Sequence, residues 1–399
     1  MRFASTPQNR QLQLLALALV LSMSTWFSTA AVLSQLRATW NLSSSQASWL
    51  TIAVQLGFVA GAVSSSITNL ADRMRPLRLI FLGASGAAVA NAVLVVVDGF
   101  APALSLRFLT GVFLAAVYPP ALKAMSAWYH TGRGLALGVM IGALTVGSAL
   151  PHLLNGLGGV DWQVTLLSAS ALTLAGGILV ERFGVVGPHA QPSAIFDLSQ
   201  LGNIVRDRKF RLASLGYFGH MWELYAMWAW IAAFYTDALG SSRQASFVAF
   251  SVIAAGGAGS VYAGIVSDRT SRAQAAALAM RWSGSIALFI GFLVDIPAPA
   301  LVALGLIWGF WVVADSAQFS TIVSETCPPA YIGTALTMQL AAGFVLTVFT
   351  IFLVPVVRDA HGWGWAFMML APGPLVGVWA MRALRSDADP RSTEAVSVR

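Results

Sequence analysis

Two acidic residues and a histidine interrupt stretches of the sequence that are otherwise strongly apolar. His220 and Glu223 lie three residues apart in GYFGHMWELYAMWAW, and Asp315 lies in WGFWVVADSAQFS. Residues three apart share a face of an α-helix, so we expect that His220 and Glu223 can meet. A carboxylate among apolar side chains is costly unless it is paired or protonated. These residues are therefore candidates for carrying protons, with a static bond from Glu223 to His220 that holds two helices together as the alternative.

Arg107, in the sequence RFLTG, is the basic residue that falls inside an apolar stretch. An arginine at the centre of a membrane helix costs about 3 kcal/mol on insertion scales, so it normally faces a partner or a water-filled cavity. Its long side chain can also reach back to the membrane surface. We treat Arg107, His220, Glu223 and Asp315 as candidates for proton coupling, with binding of a cationic solute by Glu223 as a further alternative.

The composition indicates that membrane helices position these residues. Hydrophobic residues make up 57% of the 399 residues and charged residues only 10%, where a soluble domain carries about a quarter. The mean hydropathy is +0.73, and apolar runs of about 20 residues match helices that cross about 30 Å of hydrocarbon. Strands of a membrane barrel would alternate in polarity instead. The sequence therefore predicts an all-α integral membrane protein.

Twelve transmembrane helices are predicted, and one long polar stretch divides them six and six. The predicted domains are an N-terminal six-helix bundle at 1–182, a cytoplasmic linker at 183–211, a C-terminal six-helix bundle at 212–385 and a cytoplasmic tail at 386–399. The predicted helices lie near 12–34, 47–69, 77–97, 101–123, 133–156, 162–181, 212–236, 244–266, 274–294, 299–323, 332–356 and 363–383.

The distribution of basic residues predicts the orientation. Most of the 23 Lys and Arg residues fall in loops on one side of the predicted helices, and Arg37, Arg243 and Arg358 fall on the other. Because basic loops stay in the cytoplasm, both termini are predicted to be cytoplasmic, in a multi-pass protein of the bacterial inner membrane. The net charge of +7 thus needs no nucleic-acid partner. The lipid bilayer is the partner that it indicates.

The two halves of the chain repeat one another. LSSSQASWLTIAVQLGFVAGAV resembles GSSRQASFVAFSVIAAGGAGSV, which places Gln46 opposite Gln244, and Asp72 further on lies opposite Asp268. The offset stays at about 197 residues, close to half of the chain, which indicates internal duplication. Two six-helix repeats in parallel orientation, with a site at their interface, are a known plan of secondary transporters.

A loop motif that follows the second and eighth helices resembles the signature of the major facilitator superfamily, and the likeness covers essentially the whole chain. The signature is a Gly, an Asp-Arg pair four residues later, then a Gly and basic residues. Gly264, Asp268 and Arg269 fit it well after the eighth helix. After the second helix Asp72 and Arg73 survive, although the leading Gly is absent.

The resemblance implies that these loops stabilise one of two alternating conformations. It assigns this gating role to Asp72, Arg73, Asp268 and Arg269. The alternative is that these charged residues are solvated and only fix the orientation of the helices in the membrane. Arg107 also resembles the arginine of a fourth-helix motif in the family. The family's antiporter motif in the fifth helix is only partly echoed, so antiport is not inferred from it.

The resemblance also implies that the first, fourth, seventh and tenth helices line a central cavity. Pro119 and Pro120 must break or kink the fourth helix directly after Tyr118. His152, in the fifth helix, either titrates or bonds a carbonyl that Pro151 frees. The tryptophans either stack on a solute or pack against lipid and neighbouring helices. The cavity candidates are Trp26, Thr29, Tyr118, His152, Tyr225, Trp228 and Gln318.

The sequence lacks the motifs of ATP-driven pumps and of metal sites. The sequence has no GxxxxGK[ST] phosphate loop and no cluster of His or Cys with metal-ligand spacing, and its single cysteine is Cys327. We therefore expect no enzyme activity, no cofactor and no metal. The expected function is proton-coupled symport of a small organic solute by a monomer that works by alternating access. Drug or metabolite efflux by proton antiport, or a non-transporting receptor with this fold, are the alternatives.

Overall fold

The computed structural model describes residues 6–129, 133–158, 161–189, 197, 199, 201–328 and 332–386, without the side chains of Ala71, Asp72, Gly158 and Ser386. Every regular element in these ranges is helical. Two short helices, Leu70–Arg73 and Leu201–Arg206, lie in connections between the membrane-crossing helices. In chain order the latter are α1 (Pro7–Ser22, Met23–Thr25, Ser28–Ala31 and Leu33–Trp40), α2 (Ser44–Ile67), α3 (Pro76–Val93 and Leu94–Val96), α4 (Phe100–Leu114 and Tyr118–Ser126), α5 (Arg133–Gly158), α6 (Trp162–Phe183), α7 (Arg208–Leu239), α8 (Ser242–Arg269), α9 (Arg272–Phe289 and Ile290–Leu293), α10 (Ala298–Ala314 and Ser316–Thr326), α11 (Ile332–His361) and α12 (Trp363–Met368 and Pro372–Ser386).

Ten of these helices in the described ranges are long and apolar enough to cross a membrane on length and composition alone. The other two are α1 and α7, and each has a physical reason for falling short of this length or apolarity. The first piece of α1 has only 16 residues before the helix is interrupted. Helix α7 has 32 residues, but it carries the polar His220 and Glu223 among its apolar ones. The predicted twelve-helix, all-α membrane fold is confirmed.

The repeated glutamines mark equivalent helix starts in the two halves. At α2 the Ser43 hydroxyl accepts from the Gln46 N–H at 3.2 Å, and the Gln46 side chain accepts from the Ser43 N–H at 3.0 Å. At α8 the Ser241 hydroxyl accepts from the Gln244 N–H at 3.4 Å. Such caps satisfy backbone N–H groups that have no partner inside the helix. The duplication seen in the sequence therefore repeats a physical device, a serine cap at the helix start.

Three of the helix interruptions lie at or beside candidate site residues. Helix α1 is irregular between Ser22 and Leu33, α4 is interrupted between Leu114 and Tyr118, and α10 is interrupted at Asp315. The α4 and α10 interruptions occupy equivalent positions in the two halves. Helix α7, the counterpart of α1, runs without a break. The halves therefore share a plan but differ in how their first helix is built.

The two halves pack on each other through α5 with α8 and through α2 with α11. Gly138 and Gly142 let α5 approach the backbone of α8 at Ser260 and Gly257. Small residues of this kind allow membrane helices to pack closely. Hydrogen bonds join the halves near both faces of the bundle. We find the halves in contact at both ends of the membrane-crossing region.

Hydrogen bonds between side chains join the two halves at both faces. At one face the Asn155 amide of α5 donates to the Ser246 hydroxyl of α8 at 2.8 Å. At the opposite face the hydroxyls of Ser66 in α2 and Thr337 in α11 are 3.1 Å apart. The halves are therefore hydrogen-bonded to each other near both ends of the bundle.

Gly57 offers a test of the close packing of α2 against α4. A Cβ at Gly57 would overlap the Phe108 carbonyl, whereas a Cβ at Gly202 would meet nothing within 4 Å. We expect Gly57→Val to destabilise the protein by about 1–3 kcal/mol or more, because overpacked helices must separate. Gly202→Ala is the control and should leave stability unchanged. Thermal unfolding in detergent measures both, and equal melting temperatures for the two variants would contradict the packing.

Candidate functional site

Arg107 is fully buried inside the N-terminal half. Its guanidinium donates to the Thr25 carbonyl at 3.0 Å and to the Trp26 carbonyl, both in the interrupted part of α1. It also donates to the Leu50 carbonyl of α2 at 3.4 Å and to the Asn91 side chain of α3 at 3.0 Å. These carbonyls include ones that the interruption of α1 leaves without a helical partner. Arg107 therefore holds the irregular part of α1 in place, and its side chain does not reach back to the membrane surface.

Asn91 extends this network across the N-terminal half. Its side-chain oxygen also accepts from the Ser28 hydroxyl at 2.7 Å. Its amide donates to the Leu166 carbonyl and to the Ser170 hydroxyl of α6 at 3.1 and 3.0 Å. Helices α1, α3, α4 and α6 are thus joined by one buried polar network. The sequence analysis did not find Asn91, because a single asparagine in an apolar helix carries no periodic signal.

His220 of α7 lies against the interruption of α10. Its Nδ1 atom is 2.8 Å from the Asp315 Oδ1 atom, and its Nε2 atom is 2.9 Å from the Ser316 hydroxyl. Both side chains are about 3% exposed. The contact is therefore a buried pair at ion-pair distance that links α7 to α10.

Glu223 lies inside the C-terminal half and bonds to residues other than His220. Its Oε1 atom accepts from the Trp308 indole of α10 at 2.7 Å, and its Oε2 atom accepts from the Ser283 hydroxyl of α9 at 2.9 Å. Asp315 is close enough to interact with it electrostatically. The alternative of a static bond between Glu223 and His220 is therefore not found, because each side chain is bonded to residues of other helices instead. Sequence analysis missed Trp308 and Ser283.

Six aromatic rings from both halves meet between the bundles. Trp26 is centred 4.8 Å from the Phe58 ring, 6.0 Å from Tyr225 and 5.9 Å from Phe344. Tyr225 is in contact with two further rings, those of Phe27 and Trp228. We call these six residues the interface ring cluster: Trp26, Phe27, Phe58, Tyr225, Trp228 and Phe344. Sequence analysis named Trp26, Tyr225 and Trp228, and it missed the phenylalanines because they look like ordinary apolar core residues.

The remaining cavity candidates lie on several elements. Tyr118 begins the second piece of α4 and packs, half-buried, against the core. Gln318 lies one turn beyond Asp315 and is buried, as are Thr29 and His152. Among the described residues, no hydrogen-bond partner is found for the Gln318 Nε2 atom, the Thr29 hydroxyl or either ring nitrogen of His152. His152 therefore does not bond a carbonyl freed by the proline before it.

Asp268 connects the two halves where α8 ends. Its Oδ2 atom accepts from the Leu135 N–H at the start of α5 at 3.2 Å, and its Oδ1 atom is 2.8 Å from the Arg272 guanidinium. A carboxylate at a helix start is stabilised by the free N–H groups there. Arg73 and Arg269 are exposed. The side chain of Asp72 lies outside the described residues.

An apolar groove of about 570 Å³ opens between α5 and α8. None of the predicted site residues lines it. Its walls are Val139, Gly142, Ala143, Val146, Gly257, Ala258, Val261, Tyr262 and Ile265. Since it is open and apolar, we regard it as surface that lipid covers and place the candidate site at the interface ring cluster and the buried acids.

Comparisons with known proteins agree with this architecture. A sequence model described as Major Facilitator Superfamily matches residues 15–214. The "MFS-type transporter pytF" of Aspergillus terreus is 27% identical over 177 residues, which cover 42% of this chain and 58% of that protein. The match therefore spans little more than half of the relative's length. The solved structure of the human organic anion transporter MFSD10 (TETRAN) has a TM-score of 0.70 at 14% identity and covers 94% of this chain and 100% of that one.

The two helical bundles, with polar groups buried at and near their interface, share the fold of that multi-pass membrane protein. The family match covers half of the chain, from the middle of α1 into the start of α7. The chain belongs to the Major Facilitator Superfamily, as its sequence motifs predicted.

Arg107 is tested by removing its donors. We expect Arg107→Leu to destabilise the protein by about 3 kcal/mol or more, because several buried carbonyls lose a partner at about 1–3 kcal/mol each. Arg78→Gln is the matched control. Arg78 pairs with Glu181 at 2.8 Å on the surface, where an ion pair is worth about 0–1 kcal/mol. Thermal unfolding in detergent should separate the two variants clearly, and similar losses in both would refute the structural role of Arg107.

Proposed function

We propose that this protein is a proton-coupled secondary active transporter of a small organic solute that works by alternating access across the cytoplasmic membrane. The observation that carries the proposal is the pair of buried carboxylates, Glu223 and Asp315, with His220 between α7 and α10. The described contacts of both carboxylates involve Trp308, Ser283 and His220, and no lysine or arginine. A buried carboxylate without a permanent cation is stabilised only by hydrogen bonds, so gain and loss of a proton come at modest cost.

The position of the pair also supports coupling to a conformational change. Asp315 lies at the interruption of α10, where the helix can bend, and His220 bridges α7 to this point. Proton transfer to or from this pair changes its charge and hence the strength of the link between the two helices. Because the halves touch at both faces, we interpret the structure as a closed stage of the cycle, between opening to one side and to the other.

The proposal is tested by proton flux in vesicles that contain the purified protein. We expect Glu223→Gln to reduce solute-driven proton movement by at least about tenfold, because the amide cannot carry a proton. Glu181→Gln is the control, since Glu181 lies at the membrane surface in an ion pair with Arg78. A pH-sensitive dye inside the vesicles reports the flux. Unchanged flux in Glu223→Gln would remove the coupling role, and no solute-dependent flux in the wild type would favour a receptor.

The direction of transport is part of the proposed function. We propose uptake by symport, since the antiporter motif of the family is only partly echoed around Gly138, Gly142, Gly147 and Pro151. The printed name of the human structural neighbour describes an organic anion transporter. In this chain, however, the buried cation Arg107 has its donors engaged by the protein. Counterflow of labelled solute with and without an imposed proton gradient distinguishes symport from antiport, since only symport concentrates solute on the side that protons enter.

The proposed orientation, with both termini in the cytoplasm of a bacterial inner membrane, can be tested with the single cysteine. Cys327 is unpaired, half-buried and located at the end of α10. We expect a membrane-impermeant maleimide to label it in inside-out vesicles and not in intact cells, because α10 ends on the basic side. As a control, Asp295→Cys in a Cys327→Ser background, in the exposed loop before α10, should show the reverse pattern. Labelling of Cys327 in intact cells would show that the orientation is the reverse of the predicted one.

A further inference from the structure

We propose that the solute site lies at the interface ring cluster and takes an uncharged, planar aromatic or heteroaromatic solute that carries both hydrogen-bond donors and acceptors. This inference rests on the proposed transport function, because it names the class of solute for the same route. It depends on different residues from those proposed to carry protons, so the two can fail separately.

One turn of α1 brings the relevant helices together. The piece Ser28–Ala31 packs against α2, α5 and α7. The Asn155 amide of α5 donates to the Ala31 carbonyl at 3.0 Å. On the residues just before this turn, the Phe27 ring lies 5.6 Å from Trp228 of α7, and Trp26 lies against Phe58 of α2. Side chains of four helices from both halves therefore converge here.

The helices that meet at this turn carry buried polar atoms for which the described part of the chain shows no hydrogen-bond partner. Eight of these atoms, all on side chains that are at most 1% exposed, are Trp26 Nε1, Thr29 Oγ1, both amide atoms of Gln55, Ser148 Oγ, both ring nitrogens of His152 and Trp228 Nε1. Helix α1 also carries Ser22 Oγ, Gln35 Oε1 and Trp40 Nε1, which are outside this set. Buried polar groups are nearly always paired, so a group of unpaired ones needs an explanation. A bound solute that pairs with them supplies one.

The other tryptophans of α7, the half-buried Trp222 and the buried Trp230, show what a structural role looks like. The Trp222 indole donates to the Met369 carbonyl and the Trp230 indole donates to the Ile351 carbonyl, both at 2.9 Å. Buried indole N–H groups usually find such partners. Trp228, between these two residues, has none among the described residues. The difference sets Trp228 apart from the tryptophans that hold helices together.

The chemistry of the unpaired atoms indicates an uncharged solute. Indole N–H groups donate, the Gln55 amide both donates and accepts, and hydroxyls and a neutral imidazole do the same. No carboxylate, ammonium or guanidinium belongs to the set. The nearby cation, Arg107, already donates to five acceptors, and Glu223 already accepts from two donors. A charged solute would therefore find no counter-charge among the unpaired atoms at this turn.

The rings around the polar atoms favour a planar solute. Trp26 and Tyr225, which belong to different halves, stack at an interplanar angle of 25°. A flat ring that enters between the halves replaces one stacked contact by another. Aromatic pairs are stable in such stacked arrangements. A polyol such as glucose has the hydrogen-bonding groups but presents no flat π-face.

We test the inference by equilibrium binding to the purified full chain, with no transport step. The probes are nicotinamide, benzamide and uracil as neutral planar solutes, nicotinate as the matched anion, benzylamine as a cation and glucose as a polyol. Binding is followed by the shift in melting temperature and by tryptophan fluorescence. We expect at least one neutral planar probe to bind at least tenfold more tightly than nicotinate, benzylamine and glucose.

Two variants and a control locate the site. Gln55→Leu should weaken binding of that probe at least tenfold while the melting temperature of the free protein stays the same or rises, since an unpaired buried amide is removed. Trp228→Phe keeps an aromatic side chain but removes the indole N–H with its five-membered ring, and should weaken binding at least threefold. Trp282→Phe is the control, because Trp282 is 51% exposed on the outside of the bundle, and should bind as the wild type does.

The inference is overturned if a charged probe or glucose binds more tightly than the neutral planar probes. It is also overturned if both variants bind the probe like the wild type, or if Gln55→Leu lowers the melting temperature, as a structural glutamine would. If binding behaves as expected while Glu223→Gln leaves proton flux unchanged, the solute site stands and the proposed coupling fails. If flux depends on Glu223 for a charged solute, the coupling stands and the solute class fails.

Discussion

The structure depends on the hydrogen bonds that Arg107 makes to the interrupted part of α1. Lipid offers no hydrogen bonds, so a membrane helix can be irregular only where the protein itself satisfies the freed carbonyls. A guanidinium has five N–H donors in a fixed plane, and here they reach carbonyls or side chains of α1, α2 and α3. With this support α1 can present Trp26 and Thr29 on an irregular stretch at the interface between the halves. The cost of burying the arginine is offset by the irregular backbone that it stabilises.

The C-terminal half has a different solution to the same problem. Helix α7 is continuous, and the irregular backbone is at Asp315 in α10, next to His220. A permanent cation supports one half, while groups that can gain or lose a proton lie at the interruption of the other. A duplicated fold has thus diverged into a half with a fixed polar network and a half with a titratable one. In the proposed transport cycle, this asymmetry would make the C-terminal half the one that responds to protons.

The charged groups of the core are largely engaged with the protein itself, and this shapes the interface between the halves. Arg107 bonds to carbonyls, and Glu223 bonds to Trp308 and Ser283. What remains at the interface is a set of rings from both halves together with neutral polar atoms. Rings from both halves can separate and close again without breaking an ion pair, because their contacts are individually weak and not strongly directional. The interface therefore suits repeated opening better than a charged one would.

The sequence alone determined the membrane class, the twelve helices, the duplication and the family, because long apolar runs and a half-chain offset are local and periodic signals. It also named Arg107, His220, Glu223 and Asp315, since a charge in an apolar run is visible without a structure. Only the tertiary structure decided their partners: His220 meets Asp315 instead of Glu223, and Arg107 meets backbone carbonyls. Carbonyls freed by an interrupted helix, and phenylalanines such as Phe58 and Phe344 that face another half, depend on how distant helices pack. No pattern along one helix records that packing.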